Sequence, residues 1–107
     1  MSETFYITTP IYYVNSHPHI GHAYTTIVTD VFVRYRKLFG EETYFLTGTD
    51  EHGQKIAESA QAANLKPQEF VDRMTAEFRE MWPHLHIKQD QFIRTTDAYH
   101  KLSLIHI

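Results

Sequence analysis

Hydrophobic residues recur three or four positions apart along residues 23–39, a spacing that predicts an α-helix. They are Tyr24, Ile27, Val28, Val31, Phe32, Tyr35 and Leu38. Residues 55–63 are rich in alanine and also fit a helix. A third helix is predicted to begin at Pro67, a residue suited to a first helical turn, and to end near Pro83. One side of this third helix carries Phe70, Met74, Phe78, Met81 and Leu85.

Shorter segments rich in β-branched and aromatic residues lie between these helices and predict strands. They cover residues 5–9, which stop at Pro10, residues 43–46 and residues 91–94. Residues 11–19 and 47–53 are predicted to be the loops that leave the first two strands. This alternation of strands and helices favours an α/β fold, with a parallel sheet and right-handed crossover helices.

The composition narrows the function classes. At 107 residues the chain is one small domain at most, and its 42% hydrophobic and 21% charged residues are typical of a folded segment. A net charge of −3 argues against binding nucleic acid through overall charge, and the lack of cysteine excludes disulfides and thiolate zinc sites. We find neither a basic leader segment nor an apolar run near ~20 residues, so we expect a cytoplasmic protein without a membrane segment.

Three histidines fall within six positions in the first predicted loop: His17, His19 and His22. We expect His19, Gly21 and His22 at the start of the long helix, where free N–H groups and the helix dipole favour anions such as nucleotide phosphates. A plainer interpretation is that these are helix-start residues whose imidazoles are merely exposed. A metal site would need some of them to converge with His52 and Asp50; without a thiolate we do not predict one.

The second predicted loop contains Thr-Gly-Thr-Asp-Glu-His-Gly, residues 47–53. Asp50 could be a solvated loop residue, a turn former or the partner of a substrate cation. Glu51 and His52 are equally compatible with helix capping. Alone this motif is a weak signal. Because ligands bind beyond the carboxyl ends of parallel strands, however, its position after a strand supports a site shared with the histidine-rich loop.

Three stretches together closely resemble the methionyl-tRNA synthetases, a family of class I aminoacyl-tRNA synthetases. The stretches are YITTPIYYVNSHPHIGHAYTTIVTDVFVRYRKLFG, YFLTGTDEHGQKI and FIRTTDAYHK, and the resemblance covers roughly residues 4–101. Within it, His19-Ile20-Gly21-His22 is similar to the family's His-Ile-Gly-His motif. The resemblance implies a Rossmann-like nucleotide-binding domain. Ser16 stands where the family often has glycine, a change that could alter the flexibility of the loop.

The resemblance also implies roles for individual residues. His19 and His22 would contact the ATP phosphates and stabilise the transition state, and Gly21 would let adenosine pack against the backbone. Asp50 would bind the methionine ammonium. The remaining positions of the implied methionine site are Ile11 and Tyr13, which would line the side-chain pocket, and His52.

The implied reaction is the ATP-dependent activation of methionine to methionyl-adenylate, assisted by Mg²⁺, followed by transfer to tRNA(Met). The family's second ATP motif, Lys-Met-Ser-Lys-Ser, does not occur in the chain. We therefore expect residues 1–101 to be the amino-terminal part of a catalytic domain that is inactive alone, and residues 102–107 to be a truncated or non-native tail. Any zinc site of the family would lie outside this sequence. The oligomeric state stays open.

Three alternatives remain at this point. A small nucleotidyltransferase could use the same His-x-Gly-His pair on a similar fold, but it would not need residues 47–56. A non-catalytic module could bind a metal through its histidines. Finally, a chain this short could be an inert fragment that folds poorly, because small domains bury little surface.

Overall fold

The structure is a computed structural model that describes residues 3–106, with side chains described up to residue 103. It confirms the predicted α/β class. Its elements are β1 (Thr4–Thr8), β2 (Tyr12–Tyr13), α1 (Ile20–Leu38), β3 (Glu42–Asp50), α2 (Gln54–Ala62), α3 (Pro67–His84), β4 (Gln91–Arg94) and α4 (Ala98–His106). No helix within this described range is both long and apolar enough to cross a membrane.

The strands form one parallel sheet with β3 at its centre, as the alternation of elements predicts. Leu46 pairs with both Thr8 of β1 and Gln91 of β4. Farther along β3, Thr49 pairs with both Tyr12 of β2 and Arg94 of β4. Because a strand has two edges, β1 and β2 must share one edge of β3 and β4 must occupy the other. The carboxyl ends of β2, β3 and β4 therefore meet at one side of the sheet.

The first two predicted loops are partly wrong. The chain from Thr8 to Tyr12 advances four positions while β3 advances three, from Leu46 to Thr49, so one extra residue bulges out around Pro10 before pairing resumes as β2. Proline has no N–H to donate to a ladder, which explains the interruption. Residues 47–50, predicted as loop, continue β3: the first three pair with β4, and the last two pair with β2.

The core lies mainly between the sheet and helices α2 and α3. The third predicted helix buries Phe70 and Phe78 as its pattern indicates, although Leu85 remains 38% exposed. Helix α1 begins at Ile20, three residues earlier than predicted. Its apolar stripe, which predicted the helix, is largely exposed, whereas the buried positions of α1 are Thr26, Thr29, Asp30 and Val33.

Candidate active site

The start of α1 is closed by its own histidines. His19 is the N-cap residue, and its Nδ1 accepts a hydrogen bond from the backbone N–H of Gly21 at 3.0 Å. In return, Nδ1 of His22 accepts from the backbone N–H of His19, also at 3.0 Å. This is a capping box in which two imidazoles replace the usual hydroxyl and carboxyl groups. The expectation that these histidines stand at the helix start is confirmed.

The capping box determines which ring nitrogen carries the proton. A nitrogen that accepts a hydrogen bond is unprotonated, so the two neutral rings must carry their protons on Nε2. Among the residues that the structure describes, neither Nε2 of His19 nor that of His22 has a hydrogen-bond partner. The helix start thus offers two N–H donors beside the positive end of the helix dipole, an arrangement suited to phosphate oxygens.

The surroundings of His22 keep its ring neutral. Burial lowers the pKa of His22 below its ordinary value of 6.5, and the adjacent imidazole of His19 lowers it further. The two rings stack with their centroids 3.9 Å apart. A proton on Nδ1 of His22 would also remove the acceptor on which the capping box depends. The lowered pKa therefore favours a neutral His22 ring, and the hydrogen bond to Nδ1 places its proton on Nε2.

Gly21 is required by the position of the His19 ring. A Cβ atom at Gly21 would lie 2.8 Å from Cε1 of His19, so a side chain there would push the His19 ring out of its capping position. Without a side chain there, the His19 imidazole can fold back over the first turn and cap it. The motif therefore needs its glycine for the geometry of the histidine, in addition to any contact with a nucleotide.

Tyr12 supports His22 and was missed by the sequence analysis, which selected its neighbour Tyr13. The Tyr12 ring meets that of His22 edge to face with centroids 5.2 Å apart, and Phe78 of α3 contacts the same imidazole at 4.9 Å. The Tyr12 hydroxyl hydrogen-bonds Thr26, whose own hydroxyl donates to the His22 carbonyl at 2.8 Å. Tyr12 is 5% exposed, so the ring that contacts His22 belongs to the hydrophobic core.

The second group of predicted residues gathers at the ends of β2 and β3. Tyr13 and Asp50 are register partners across the two strands. Oδ1 of Asp50 accepts one long hydrogen bond, 3.4 Å, from the backbone N–H of His52, and the carboxylate has no other partner in the described part of the chain. Ile11, 43% exposed, lies in the bulge that precedes β2. Asp50 is thus a half-buried carboxylate available to a ligand.

Gly53 packs against the Tyr13 side chain of this group. Its φ of +121° is a conformation that side-chain-bearing residues rarely adopt, and a Cβ there would lie 2.6 Å from the Tyr13 hydroxyl oxygen. The glycine therefore lets the chain turn tightly from β3 into α2 while Tyr13 packs against it. The side chain of His52 points to the other neighbour of β3: its Nε2 donates to the Thr95 carbonyl at 3.1 Å, just after β4.

Glu51, which the sequence analysis treated as a possible capping residue, is fully buried and ion-paired. Nε and Nη2 of Arg94 each donate to one carboxylate oxygen of Glu51 at 2.8 Å. Burial raises the pKa of Glu51, but the hydrogen bonds from Arg94 and from Thr49, Thr96 and Thr75 outweigh burial, and the pKa lies below its ordinary value of 4.5. No sequence pattern links residues so far apart.

His17, the third histidine of the motif, does not join the others. Its Nδ1 lies 2.5 Å from Oε2 of Glu77 in α3, and its side chain is 74% exposed. His17 lines a cavity of about 390 Å³ together with residues 15 and 16 and residues at α2 and α3; none of His19, His22 and Asp50 lines it. Within residues 3–103 no group of three or more His, Asp or Glu side chains is placed to hold a metal ion.

Comparisons with known proteins show which family the chain is similar to. The family described as tRNA synthetases class I (M) matches residues 5–107. The methionine–tRNA ligase of Thermotoga maritima is 59% identical over 96 residues, which make up 90% of this chain and 15% of that protein. The methionine–tRNA ligase of Bacillus subtilis is 54% identical over 101 residues, 94% of this chain and 15% of that protein.

A solved structure shares the fold as well. The Mycobacterium tuberculosis methionyl-tRNA synthetase in complex with methionyl-adenylate superposes with a TM-score of 0.90 at 46% sequence identity. The match covers 94% of this chain and 19% of that one. The chain therefore spans between 15% and 19% of the length of these three proteins.

Proposed function

The chain belongs to the class I methionyl-tRNA synthetases, and on that premise we propose that it supplies the amino-terminal part of the catalytic domain of a methionine–tRNA ligase. Residues 1–101 would form this part. The ligase would work in the cytoplasm, using methionine, ATP and tRNA(Met). The observation that carries the proposal is the neutral, stacked pair of His19 and His22 at a helix start.

The first step is adenylate formation. A carboxylate oxygen of methionine attacks the α-phosphorus of ATP, a new P–O bond forms, and the bond to the β-phosphate breaks to release pyrophosphate. Negative charge on the phosphate oxygens grows during this step. The Nε2–H groups of His19 and His22 would donate to these oxygens, and because the capping box fixes both rings, the donors need no reorganisation.

Methionine would be held by the residues at the ends of β2 and β3. The Asp50 carboxylate would accept the ammonium group, and Ile11 and Tyr13 would contact the apolar thioether side chain. We keep His52 in this group as a neighbour of Asp50: its backbone N–H bonds the Asp50 carboxylate and its ring bonds the Thr95 carbonyl. Asp50 would therefore supply the charge, and His52 would hold the loop beside it.

Mg²⁺ would assist by neutralising the ATP phosphates. Because the described residues contain no group of three potential ligands for a metal, we assign none of them to metal binding and expect the ion to arrive with ATP. The Lys-Met-Ser-Lys-Ser motif of the family does not occur in the 107 residues, so this chain would hold only one side of the triphosphate. Transfer to tRNA would need parts that these residues do not supply.

A chimeric ligase tests the proposal. In it, this chain replaces the matching segment of the Bacillus subtilis methionine–tRNA ligase, to which it is 54% identical. We expect methionine-dependent exchange of pyrophosphate into ATP by the chimeric ligase and none by the 107-residue chain alone. A chimeric ligase that is folded by circular dichroism but does not exchange, or that exchanges equally well with leucine, would contradict the proposal.

A further inference from the structure

The Glu51–Arg94 ion pair lies between two residues of the proposed methionine site. Asp50 precedes Glu51 and His52 follows it. The side chain of Glu51 is 0% exposed and that of Arg94 is 18% exposed, so the pair is shielded from water. Glu51 directly follows the last residue of β3 and its side chain is buried, whereas Asp50 is half-buried. A ligand that reaches Asp50 would not touch the pair.

The carboxylate of Glu51 accepts hydrogen bonds from three elements, β3, β4 and α3, and from the segment that follows β4. Besides the two bonds from Arg94 of β4, it accepts hydrogen bonds from Thr49 of β3 at 2.5 Å, from Thr75 of α3 at 3.0 Å and from Thr96, after β4, at 2.7 Å. Arg94 also donates to Asp72 of α3 at 2.6 Å. The pair thus ties β3, β4 and α3 together at one point.

Stability alone does not account for this arrangement. The desolvation of two charges offsets most of their attraction, and apolar residues of similar volume at such positions are often as stabilising or more so. A buried ion pair does fix geometry, since each of its hydrogen bonds has a required direction and length. Because the pair lies beside Asp50, the geometry that it fixes is that of the end of β3.

The backbone carries the restraint from Glu51 to Asp50. The backbone N–H of Glu51 donates to the Thr95 hydroxyl at 2.8 Å, and the N–H of Thr95 donates to the Thr49 carbonyl at 3.2 Å. Residues on both sides of Asp50 are therefore anchored to the same residue after β4. Asp50 is also paired with Tyr13 of β2, but its carboxylate accepts only one long hydrogen bond, so the position of the carboxylate depends on the backbone on either side of it.

We propose that the Glu51–Arg94 pair is a positioning device for methionine recognition: it fixes the end of β3 so that the Asp50 carboxylate meets the substrate ammonium. The proposal rests on the function proposed above. In this arrangement Glu51 is neutralised by Arg94 and does not compete for the ammonium, which leaves Asp50 as the unpaired charge of the site. Glu51 and Arg94 are positioning residues and do not contact the substrate.

The test compares Glu51→Gln with Glu41→Gln in the chimeric ligase. Glu41 also pairs with an arginine, Arg36 at 3.1 Å, but on the exposed surface after α1. We expect Glu51→Gln to raise the KM for methionine at least about tenfold in pyrophosphate exchange. The KM for ATP should stay within about twofold, and Glu41→Gln should change neither constant.

A methionine analogue without the amino group separates positioning from a general structural role. Its inhibition constant should be the same in Glu51→Gln as in the unaltered chimeric ligase, because it makes no contact with Asp50. An unchanged KM for methionine would overturn the proposal. So would an equal loss of affinity for methionine and for the analogue, which would indicate a general distortion of the site.

Two further outcomes are distinguishable. If Glu51→Gln does not fold, Thr96→Val carries the test, because it removes a single hydrogen bond to Glu51; a smaller rise in the methionine KM, at least threefold, is then expected, and none would overturn the proposal. An unaltered chimeric ligase that does not exchange pyrophosphate would contradict the proposed function, and this inference with it, before any variant is made.

Discussion

The imidazole rings of His19 and His22 stack 3.9 Å apart, and Nδ1 of each accepts a backbone N–H of the same helical turn. Each ring thus has two separate tasks. Its Nδ1 closes the helix, and its Nε2–H remains available to a ligand. Because the two nitrogens belong to one rigid ring, the hydrogen bond that caps the helix also directs the donor. Substitutions that preserve one task and remove the other can test this division.

His19→Asn should preserve the helix cap and lose the donor. The amide oxygen of asparagine occupies the place of Nδ1 and is a good N-cap acceptor, but no N–H reaches the position of Nε2. We expect pyrophosphate exchange by the chimeric ligase to slow by about 2–4 kcal/mol of barrier, the usual effect of removing one preorganised donor. Urea unfolding of the 107-residue chain should change little.

His19→Ala is the matched variant, since it removes both tasks. It should slow exchange as much as His19→Asn does and should also cost the 107-residue chain about 1 kcal/mol of unfolding free energy. Equal stability of the two variants would show that the ring does not cap the helix. An unaltered exchange rate in His19→Asn would remove His19 from the proposed catalytic residues.

The lowered pKa of His22 makes the stability of the chain depend on pH. Since the folded pKa lies below the ordinary 6.5, the unfolded chain binds more protons near pH 6, and stability should fall as the pH drops below about 6.5. Urea unfolding at several pH values measures this loss, which His22→Asn should reduce. His84→Asn, at an exposed histidine near the end of α3, is the control and should leave the loss unchanged.

The sequence predicted the fold where local pattern and tertiary contacts agree. Helix α3 is an example, because the stripe that includes Phe70 and Phe78 is also the side that packs. Helix α1 shows the opposite case. Its apolar stripe gave the correct element, yet a polar side with Thr26 and Asp30 is buried. Periodicity identifies a helix, but it does not determine which neighbours the helix meets.

The candidate site could be predicted only in part for the same reason. His19 and His22 stand at a helix start that the local pattern already indicates. The choice between Tyr12 and Tyr13 depends on the bulge at Pro10, which shifts the register by one residue and so decides which ring faces His22. The pairing of Glu51 with Arg94 depends on the order of the strands. Neither the orientation of the two tyrosines nor the Glu51–Arg94 pairing can be deduced from a local motif.

Asp50→Asn should weaken the binding of methionine and leave that of ATP unchanged. The substitution keeps the size of the side chain and its acceptor oxygen but removes the charge that would meet the ammonium. A hydrogen bond to a charged group contributes about 1.5–3 kcal/mol, so the KM for methionine should rise roughly 10- to 100-fold. Pyrophosphate exchange at varied methionine and ATP measures both constants. A methionine KM that did not rise would rule out this role for Asp50.

Glu51 should govern the acid stability of the 107-residue chain. Its folded pKa lies below 4.5, so the stabilisation is present above that pH and is lost as the pH falls through the folded pKa. Glu51→Gln leaves Arg94 with only the exposed carboxylate of Asp72 as a counter-charge. It should cost about 3–5 kcal/mol at pH 7, and this cost should shrink in acid. Glu41→Gln, at an exposed pair, should cost about 0–1 kcal/mol. Urea unfolding at pH 7 and near pH 3.5 checks both values; a cost for Glu51→Gln as small as that for Glu41→Gln would mean that the buried pair does not hold β3 to β4.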